Sequence, residues 1–201
     1  MFISIPNNDH QIKRIEAFSD THGWHREYQY DADATDILVC AGDVCEAGNE
    51  FHFRDFFAWF GEQPAPHKLF VAGNHDLLFD LNPEFAMRYI PKGVTCIEAG
   101  NVTLDGVHFF VLPVRYWMHE SDRLFFLYPH HIDVLVTHGA PKNILDANGR
   151  WGCPILREFV DIKKPKIHIF GHAHEDGGQE VTIGKTRFMN AAVKLNHLNI
   201  K

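Results

Sequence analysis

The sequence predicts a single α/β domain over residues 1–201, built as a sandwich of mixed strands. The chain is long enough to bury a proper core, and 45% of its 201 residues are hydrophobic against 22% charged, as in ordinary globular proteins. Apolar runs alternate with a helical pattern in the first part of the chain, which favours parallel strands. Two hairpin signals follow later, which favour antiparallel strands.

Five apolar runs that end in glycine or polar residues predict the strands. They are Ile12–Phe18, Asp36–Ala41, His67–Ala72, Ile132–Thr137 and Lys166–Phe170. Between the second and third runs, residues 49–64 place four phenylalanines at helical spacing, and Gly61 and Pro64 mark the end of that helix. A strand, a helix and a further strand in this order predict a βαβ unit.

Two later segments predict hairpins. NVTLDGVHFFVLP has strand-like runs on both sides of Asp105-Gly106, and Asp-Gly is the strongest two-residue hairpin signal. EVTIGKTRFMNAA predicts a second hairpin that turns at Gly184-Lys185. Parallel and antiparallel pairs in one chain fit a mixed sandwich better than a single doubly wound sheet.

Composition limits the partners and the compartment. With 19 basic and 26 acidic residues the net charge is -7, which argues against long nucleic acids and anionic membranes as partners. Cys40, Cys45, Cys96 and Cys153 form no C-x-x-C pair, so a disulfide framework is not expected. The N-terminal residues lack a signal-peptide pattern, and no run is long enough to span a membrane. A cytoplasmic location is therefore expected, while the oligomeric state stays open.

The loops that follow the five strands all contain aspartate, asparagine or histidine. In chain order they are FSDTHG, CAGDVCE, VAGNHD, VTHGAP and IFGHAH. Loops at the carboxyl ends of strands gather at one edge of an open α/β sheet, so we expect these side chains to meet. The candidate metal ligands are Asp20, His22, Asp43, Asn74, His138, His172 and His174.

The chemistry of this set predicts two metal ions. Carboxylate, amide and imidazole donors suit divalent Mn, Fe or Zn, and they are too many for one tetrahedral zinc. Two ions about 3.5–4 Å apart would use them all, with Asp43 as the natural bridge because a carboxylate has two oxygens. Asp20 and His22 are one residue apart, as are His172 and His174, so each pair would point to one side of an extended segment.

The ordered motifs DTHG, GD, GNHD, THG and GHAH resemble the signature of the calcineurin-like metallophosphoesterases, closest to the small metallophosphoesterase-domain branch. The resemblance runs from Asp20 to His174 and on to Asn190, which is most of the chain. It implies a four-layer sandwich of two mixed sheets flanked by helices. It also implies a first ion on Asp20, His22, Asp43 and His174, and a second on Asp43, Asn74, His138 and His172. Mn is the expected metal, with Fe, Zn, Ni or Co as alternatives.

The same resemblance implies hydrolysis of a phosphate ester by a hydroxide that bridges the two ions. His75 would protonate the leaving oxygen, and Glu46, three positions after Asp43, is the candidate partner that orients His75. The expected substrates are small phosphodiesters, such as cyclic nucleotides or aryl diesters. Alanine at position 47 replaces the phosphate-gripping arginine of the protein serine/threonine phosphatases, which disfavours phosphoproteins.

Several alternatives stay open. One alternative is a phosphomonoesterase or phosphoprotein phosphatase. Another is a non-catalytic scaffold, which is disfavoured because no expected ligand is missing. Trp117, Arg150 and Trp151 lie in loops near the expected site, where they would contact a base or phosphate or, as is favoured, simply pack. Asp76 is expected to cap or to form a salt bridge, and Cys45 to be a buried, inert thiol.

Overall fold

The computed structural model describes residues 1–115, 117–128 and 131–193, and within these residues the strands form two sheets. The first sheet contains, in spatial order, β1 (Phe2–Pro6), β2 (Ile12–Phe18), β3 (Ile37–Cys40), β4 (His67–Phe70) and β5 (Val94–Cys96). The second contains β6 (Gly100–Leu104), β7 (Val107–Val111), β8 (Val134–Val136), β9 (Ile167–Phe170), β10 (Glu180–Ile183) and β11 (Thr186–Asn190). Its spatial order is β10-β11-β9-β8-β7-β6.

Both sheets are mixed, as predicted. In the first, β1 is antiparallel to β2, while β2, β3, β4 and β5 run parallel. In the second, β7, β8, β9 and β11 run parallel, and the hairpins β6–β7 and β10–β11 form the two edges. Both predicted hairpins are confirmed, because Leu104 pairs with Val107 across Asp105-Gly106 and Ile183 pairs with Thr186.

Helices cover the outer faces of the two sheets. They are α1 (Glu50–Glu62), α2 (Leu78–Leu81), α3 (Pro83–Arg88) and α4 (Pro154–Lys163), with 3₁₀ segments at His25–Glu27, Ala32–Ala34, Glu120–Leu127 and His174–Asp176. The predicted helix is confirmed as α1, which begins where the side chain of Asn49 accepts a hydrogen bond from the amide of His52. No helix in the described part of the chain is long and apolar enough to cross a bilayer.

Three apolar clusters hold the four layers of helices and sheets together. Aliphatic side chains of both sheets fill the space between them, including Ile15, Val39, Val136 and Ile169. On the outer side of the first sheet lies a second cluster, which contains the four phenylalanines of α1, Phe53, Phe56, Phe57 and Phe60. On the outer side of the second sheet, α4 contributes a third cluster. Burial of apolar area on this scale is the main driving force for folding. The arrangement of the three clusters between two sheets and their helices confirms the predicted layered sandwich.

Candidate metal centre

The predicted site residues lie where the two sheets meet at one edge. The loops after β2, β3 and β4 come from the first sheet, and those after β8 and β9 come from the second. A parallel bridge between Ser19 and Ala192 joins the sheets at this edge. The fold therefore brings the five polar loops together, as their positions in the sequence predict.

The candidate side chains form three overlapping groups, and in each group the ligand atoms lie within 4.8 Å of one another. The groups are Asp20, His22 and His174, then His22, Asp43 and His75, then Asp43, His138 and His172. Asp43 belongs to two of them. His172 and His174 stand in different groups, in line with the expectation that they serve different ions.

The backbone that carries these side chains is not extended. The prediction that Asp20 and His22, or His172 and His174, point to one side of an extended segment was therefore wrong. Asp20, His22, Asp43 and His172 have φ values of 58°, 45°, 56° and 64°, which is the left-handed region. For a residue with a Cβ this conformation costs about 1–2 kcal/mol. Each loop turns sharply as soon as its strand ends, and that turn, rather than strand alternation, aims the side chains at one point.

Asp20 is held in one orientation by groups around it. Its Oδ2 accepts hydrogen bonds from the Ser19 hydroxyl, at 2.5 Å, and from the His172 amide, at 3.0 Å. Oδ1 then faces His174 Nε2 at 3.0 Å. Burial opposes ionisation, but the charge of His138 and the hydrogen bond to His174 outweigh it and hold the pKa of Asp20 below its usual range. The role of Ser19 is not predictable from the sequence, because a serine before a metal ligand has no distinguishing pattern.

Backbone carbonyls orient two of the imidazole rings. His22 Nδ1 lies 3.1 Å from the Cys45 carbonyl, and His138 Nδ1 lies 2.7 Å from the Ala41 carbonyl. Because a carbonyl only accepts, Nδ1 carries the proton in each ring and Nε2 is the nitrogen available to a metal. His138 Nε2 is also 3.2 Å from Asp43 Oδ2. Both rings are thus oriented as metal-binding histidines require.

The residues present fit a divalent cation. Asn74 Oδ1 is a buried atom for which the described residues provide no hydrogen-bond partner. Leaving such a group unpaired costs about 1–3 kcal/mol, and a cation would remove that cost. The surrounding donors are carboxylates and imidazoles, which suit Mn, Fe or Zn.

Asp76 joins the two loops that follow β3 and β4. Its carboxylate is fully buried and accepts hydrogen bonds from four backbone amides, those of Asp43, Val44, Cys45 and Gly73, at 2.8–3.2 Å. Burial, together with the charge of Asp43, raises the pKa of Asp76 to about 6. The expected capping role is confirmed.

Gly73 allows the loop after β4 to approach Asp43 closely. A Cβ added at Gly73 would lie 2.1 Å from Asp43 Oδ1, far inside the contact distance. Asp43 Oδ1 accepts a hydrogen bond at 2.8 Å from the backbone amide of His75, two residues after Gly73. Only glycine at position 73 therefore leaves the Asp43 carboxylate where it is.

A model of the family described as calcineurin-like phosphoesterase matches residues 13–176 of the chain. The chain belongs to that family. Membership places it among the metal-dependent phosphoester hydrolases, and the phosphoesterase fold is the sandwich described above.

Known relatives of this phosphoesterase match most of its length. The UPF0046 protein K07C11.7 of Caenorhabditis elegans is 32% identical, with 94% of this chain and 72% of that protein covered. Metallophosphoesterase domain-containing protein 1 of Homo sapiens is 30% identical, with 90% of this chain and 66% of that protein covered. The phosphoesterase therefore spans about two thirds of the human relative.

His75 and Glu46 lie beside the candidate ligands of the phosphoesterase. The His75 ring is 4.9 Å from the His22 ring, and its Nδ1 accepts a hydrogen bond from the Ala47 amide at 3.2 Å. Glu46 Oε1 lies 3.7 Å from that nitrogen, and Oε2 lies 3.5 Å from His22 Nδ1. The Ala47 amide rather than Glu46 therefore fixes the His75 ring. Ala47 has a φ of 46°, a feature that the sequence does not signal.

The remaining residues singled out in the sequence have different surroundings. Trp151 lies against His172, with ring centroids 5.2 Å apart, while Arg150 pairs with Glu175 at 2.8 Å. Cys45 is buried and free, and burial raises the pKa of its thiol, as expected for an inert cysteine. Asn190 donates hydrogen bonds to the carbonyls of Leu145 and Ala173, which is a structural role.

Proposed function

We propose that this phosphoesterase hydrolyses small phosphodiesters at a centre that holds two divalent cations, with Mn as the expected metal. The first cation would be held by Asp20, His22, Asp43 and His174, and the second by Asp43, Asn74, His138 and His172. The observation that supports this assignment is the convergence of five loops on three overlapping groups, two of which share Asp43. When bound, such cations neutralise phosphoryl oxygens and activate water for attack on phosphorus.

Asp43 is suited to lie between two cations because its two oxygens face different neighbours. Oδ2 lies 3.2 Å from His138 Nε2, and Oδ1 faces the loop that carries Asn74 and His75. Burial opposes ionisation of Asp43, but the charge of His138 and the hydrogen bond to it outweigh burial, so the pKa of Asp43 is lowered. The carboxylate is therefore ionised at neutral pH and ready to bind cations.

His75 is suited to act as the general acid. Its Nδ1 accepts the Ala47 hydrogen bond, so the proton of the neutral ring is on Nε2. A third of the side chain is exposed, which leaves the ring accessible to a substrate. In its imidazolium form the ring would give the Nε2 proton to the leaving oxygen and be left neutral, a contribution typically worth about 10²–10⁴ in rate.

Two loop arginines of the phosphoesterase are paired with carboxylates, which favours a diester over a monoester substrate. The terminal phosphate of a monoester is a dianion, and proteins commonly bind it with bidentate arginine. Arg150 and Arg115 are instead paired with Glu175 and Asp80. A diester carries one negative charge fewer than a monoester. Two divalent cations neutralise its single remaining charge without help from an arginine.

The test combines elemental analysis with a substrate comparison. The protein as purified is analysed for metals, stripped with a chelator, reloaded with Mn²⁺ and assayed with bis- and mono-(4-nitrophenyl) phosphate. We expect close to two ions per chain and faster turnover of the diester. Asp43→Asn should lose bound metal and activity together, whereas Asp161→Asn, an exposed position on α4, is the matched control.

Three results would contradict parts of this function. Faster turnover of the monoester would contradict the diester preference. One ion per chain in the active protein would contradict the shared role of Asp43. A metal-loaded protein that hydrolyses neither ester would favour the scaffold alternative.

A further inference from the structure

The loop that precedes α4 has a costly backbone. Between positions 143 and 149, Asn143, Leu145, Ala147 and Asn148 have φ values of 46–61°, and Gly149 has 84°. Leucine and alanine rarely adopt this region, because the Cβ then crowds the carbonyl. Such a loop persists only where other contacts hold it, and conformations of this kind concentrate at ligand-binding sites.

Asp146 holds the loop together from the inside. Its side chain is 3% exposed, and its two oxygens accept hydrogen bonds from the amides of Asn143 and Gly149, each at 2.8 Å. The Asp146 carbonyl accepts a hydrogen bond from the Trp151 amide at 3.0 Å. The position of Trp151 is thus fixed by backbone hydrogen bonding.

The same loop is attached to the segment that carries His172 and His174. The Ala147 amide donates to Asp176 Oδ2 at 2.7 Å, and Asn190 Nδ2 joins the carbonyls of Leu145 and Ala173 at 3.1 and 2.8 Å. These contacts set the loop at the candidate metal centre.

The loop presents Trp151 beside His172. The indole and imidazole planes meet at 79°, and Trp151 remains 38% exposed. Because more than a third of Trp151 is left exposed beside His172, the indole is accessible to a ligand bound at the candidate metal centre. Its position beside a candidate metal ligand suits it to contact a group attached to a bound phosphate.

Building on the proposed function, we propose that Trp151 determines specificity by stacking on an aromatic group, such as a nucleobase, carried by the phosphoester substrate. A ring joined to phosphate through a sugar reaches past His172 to the indole. Stacking is tolerant of the ring's identity, because every base has a π-face, so Trp151 selects aromatic over non-aromatic esters rather than one base over another.

The test compares two ligands that differ in the aromatic ring. AMP and ribose 5-phosphate share a sugar and a phosphate, and only AMP has a base. Their Kd values are measured by titration calorimetry on Mn-loaded protein. Wild type should bind AMP about ten-fold more tightly than ribose 5-phosphate, and Trp151→Ala should remove that advantage while leaving the affinity for ribose 5-phosphate unchanged. Trp151→Phe should keep most of it.

Several outcomes would overturn this assignment. Equal binding of both ligands by wild type would do so. An equal loss for both ligands in Trp151→Ala, with reduced metal content, would instead make Trp151 a residue that positions His172. A loss of AMP affinity confined to Trp24→Ala or Trp117→Ala would move the stacking role to another exposed tryptophan. Metal content and thermal unfolding of Trp151→Phe establish that the fold is intact.

The binding assay also separates this inference from the proposed function. A protein that hydrolyses no phosphoester but binds AMP in a Trp151-dependent manner contradicts the proposed reaction and supports the stacking role. A protein that hydrolyses diesters but does not distinguish AMP from ribose 5-phosphate supports the reaction and contradicts the stacking role.

Discussion

The edge and the interior of the second sheet each contain a fully buried histidine, and the two have opposite chemistry. At the edge, His138 Nε2 lies 3.2 Å from Asp43 Oδ2. Burial would lower its pKa, but the charges of Asp43 and Asp20 outweigh burial and raise it to about 10. In the interior, His168 lies in β9 with ring centroids 4.9 Å from Phe170 and 5.8 Å from Phe188, and burial lowers its pKa to about 3.

The difference shows that burial does not by itself identify a functional histidine. Thr137 Oγ1 donates its proton to the Gly139 carbonyl at 2.7 Å, so it accepts a hydrogen bond from His168 Nε2 at 2.9 Å. His168 is therefore a neutral structural residue. The carboxylates around His138 favour positive charge at the edge, whether a proton or a cation supplies it.

The largest expected effect tests the chemistry of the edge. His75→Ala should lower kcat by about 10²–10⁴ with bound metal unchanged, because it removes the proton donor but none of the proposed ligands. Steady-state kinetics on bis-(4-nitrophenyl) phosphate and elemental analysis measure the two quantities. Unchanged kcat would remove His75 from the mechanism.

Glu46→Gln provides a graded comparison for His75. Since the Glu46 carboxylate lies 3.5–3.7 Å from the two nearest ring nitrogens and the Ala47 amide already holds His75, we expect a smaller loss than for His75→Ala. Equal losses would show that Glu46 orients His75 more strongly than the structure indicates.

The second effect contrasts the two buried histidines directly. His138→Ala should weaken Mn²⁺ binding by more than the roughly 10–100-fold lost when only the supporting contacts of a metal ligand are removed. His168→Ala should leave metal affinity unchanged and lower the free energy of unfolding. Isothermal titration with Mn²⁺ and denaturant unfolding separate the two. Similar metal affinities in both variants would erase the distinction between edge and interior.

The smallest effect, counted per pH unit, is the pH dependence of stability in the interior. The pKa of His168 falls from an ordinary value of 6.5 to about 3 on folding, so its neutral form contributes fully above pH 6.5. That contribution is lost as the pH falls from 6.5 towards 3, with a slope of about 1.4 kcal/mol per pH unit. His168→Leu in metal-free protein should flatten the curve relative to wild type, as measured by denaturant unfolding. Parallel curves would contradict a neutral His168.

The strongly patterned parts of the fold were predictable from the sequence. The five buried strands, α1 and both hairpins agree with the structure within two residues at the strand ends, because burial and turn chemistry are local signals. Strand β5 and helices α2 and α3 were not predicted, since they are short and only partly buried. The amphipathic helix α4 was also not predicted, although Pro154 marks its first turn.

The sequence alone determined which residues gather at the sheet edge, because strand ends and their order fix where loops emerge. Only the tertiary structure decided how those side chains are aimed. The left-handed turns at Asp20, His22, Asp43 and His172 are stabilised by contacts between distant loops, which no local pattern encodes. Trp151 shows the same limit, because the long-range hydrogen bonds of its loop are what place it beside His172.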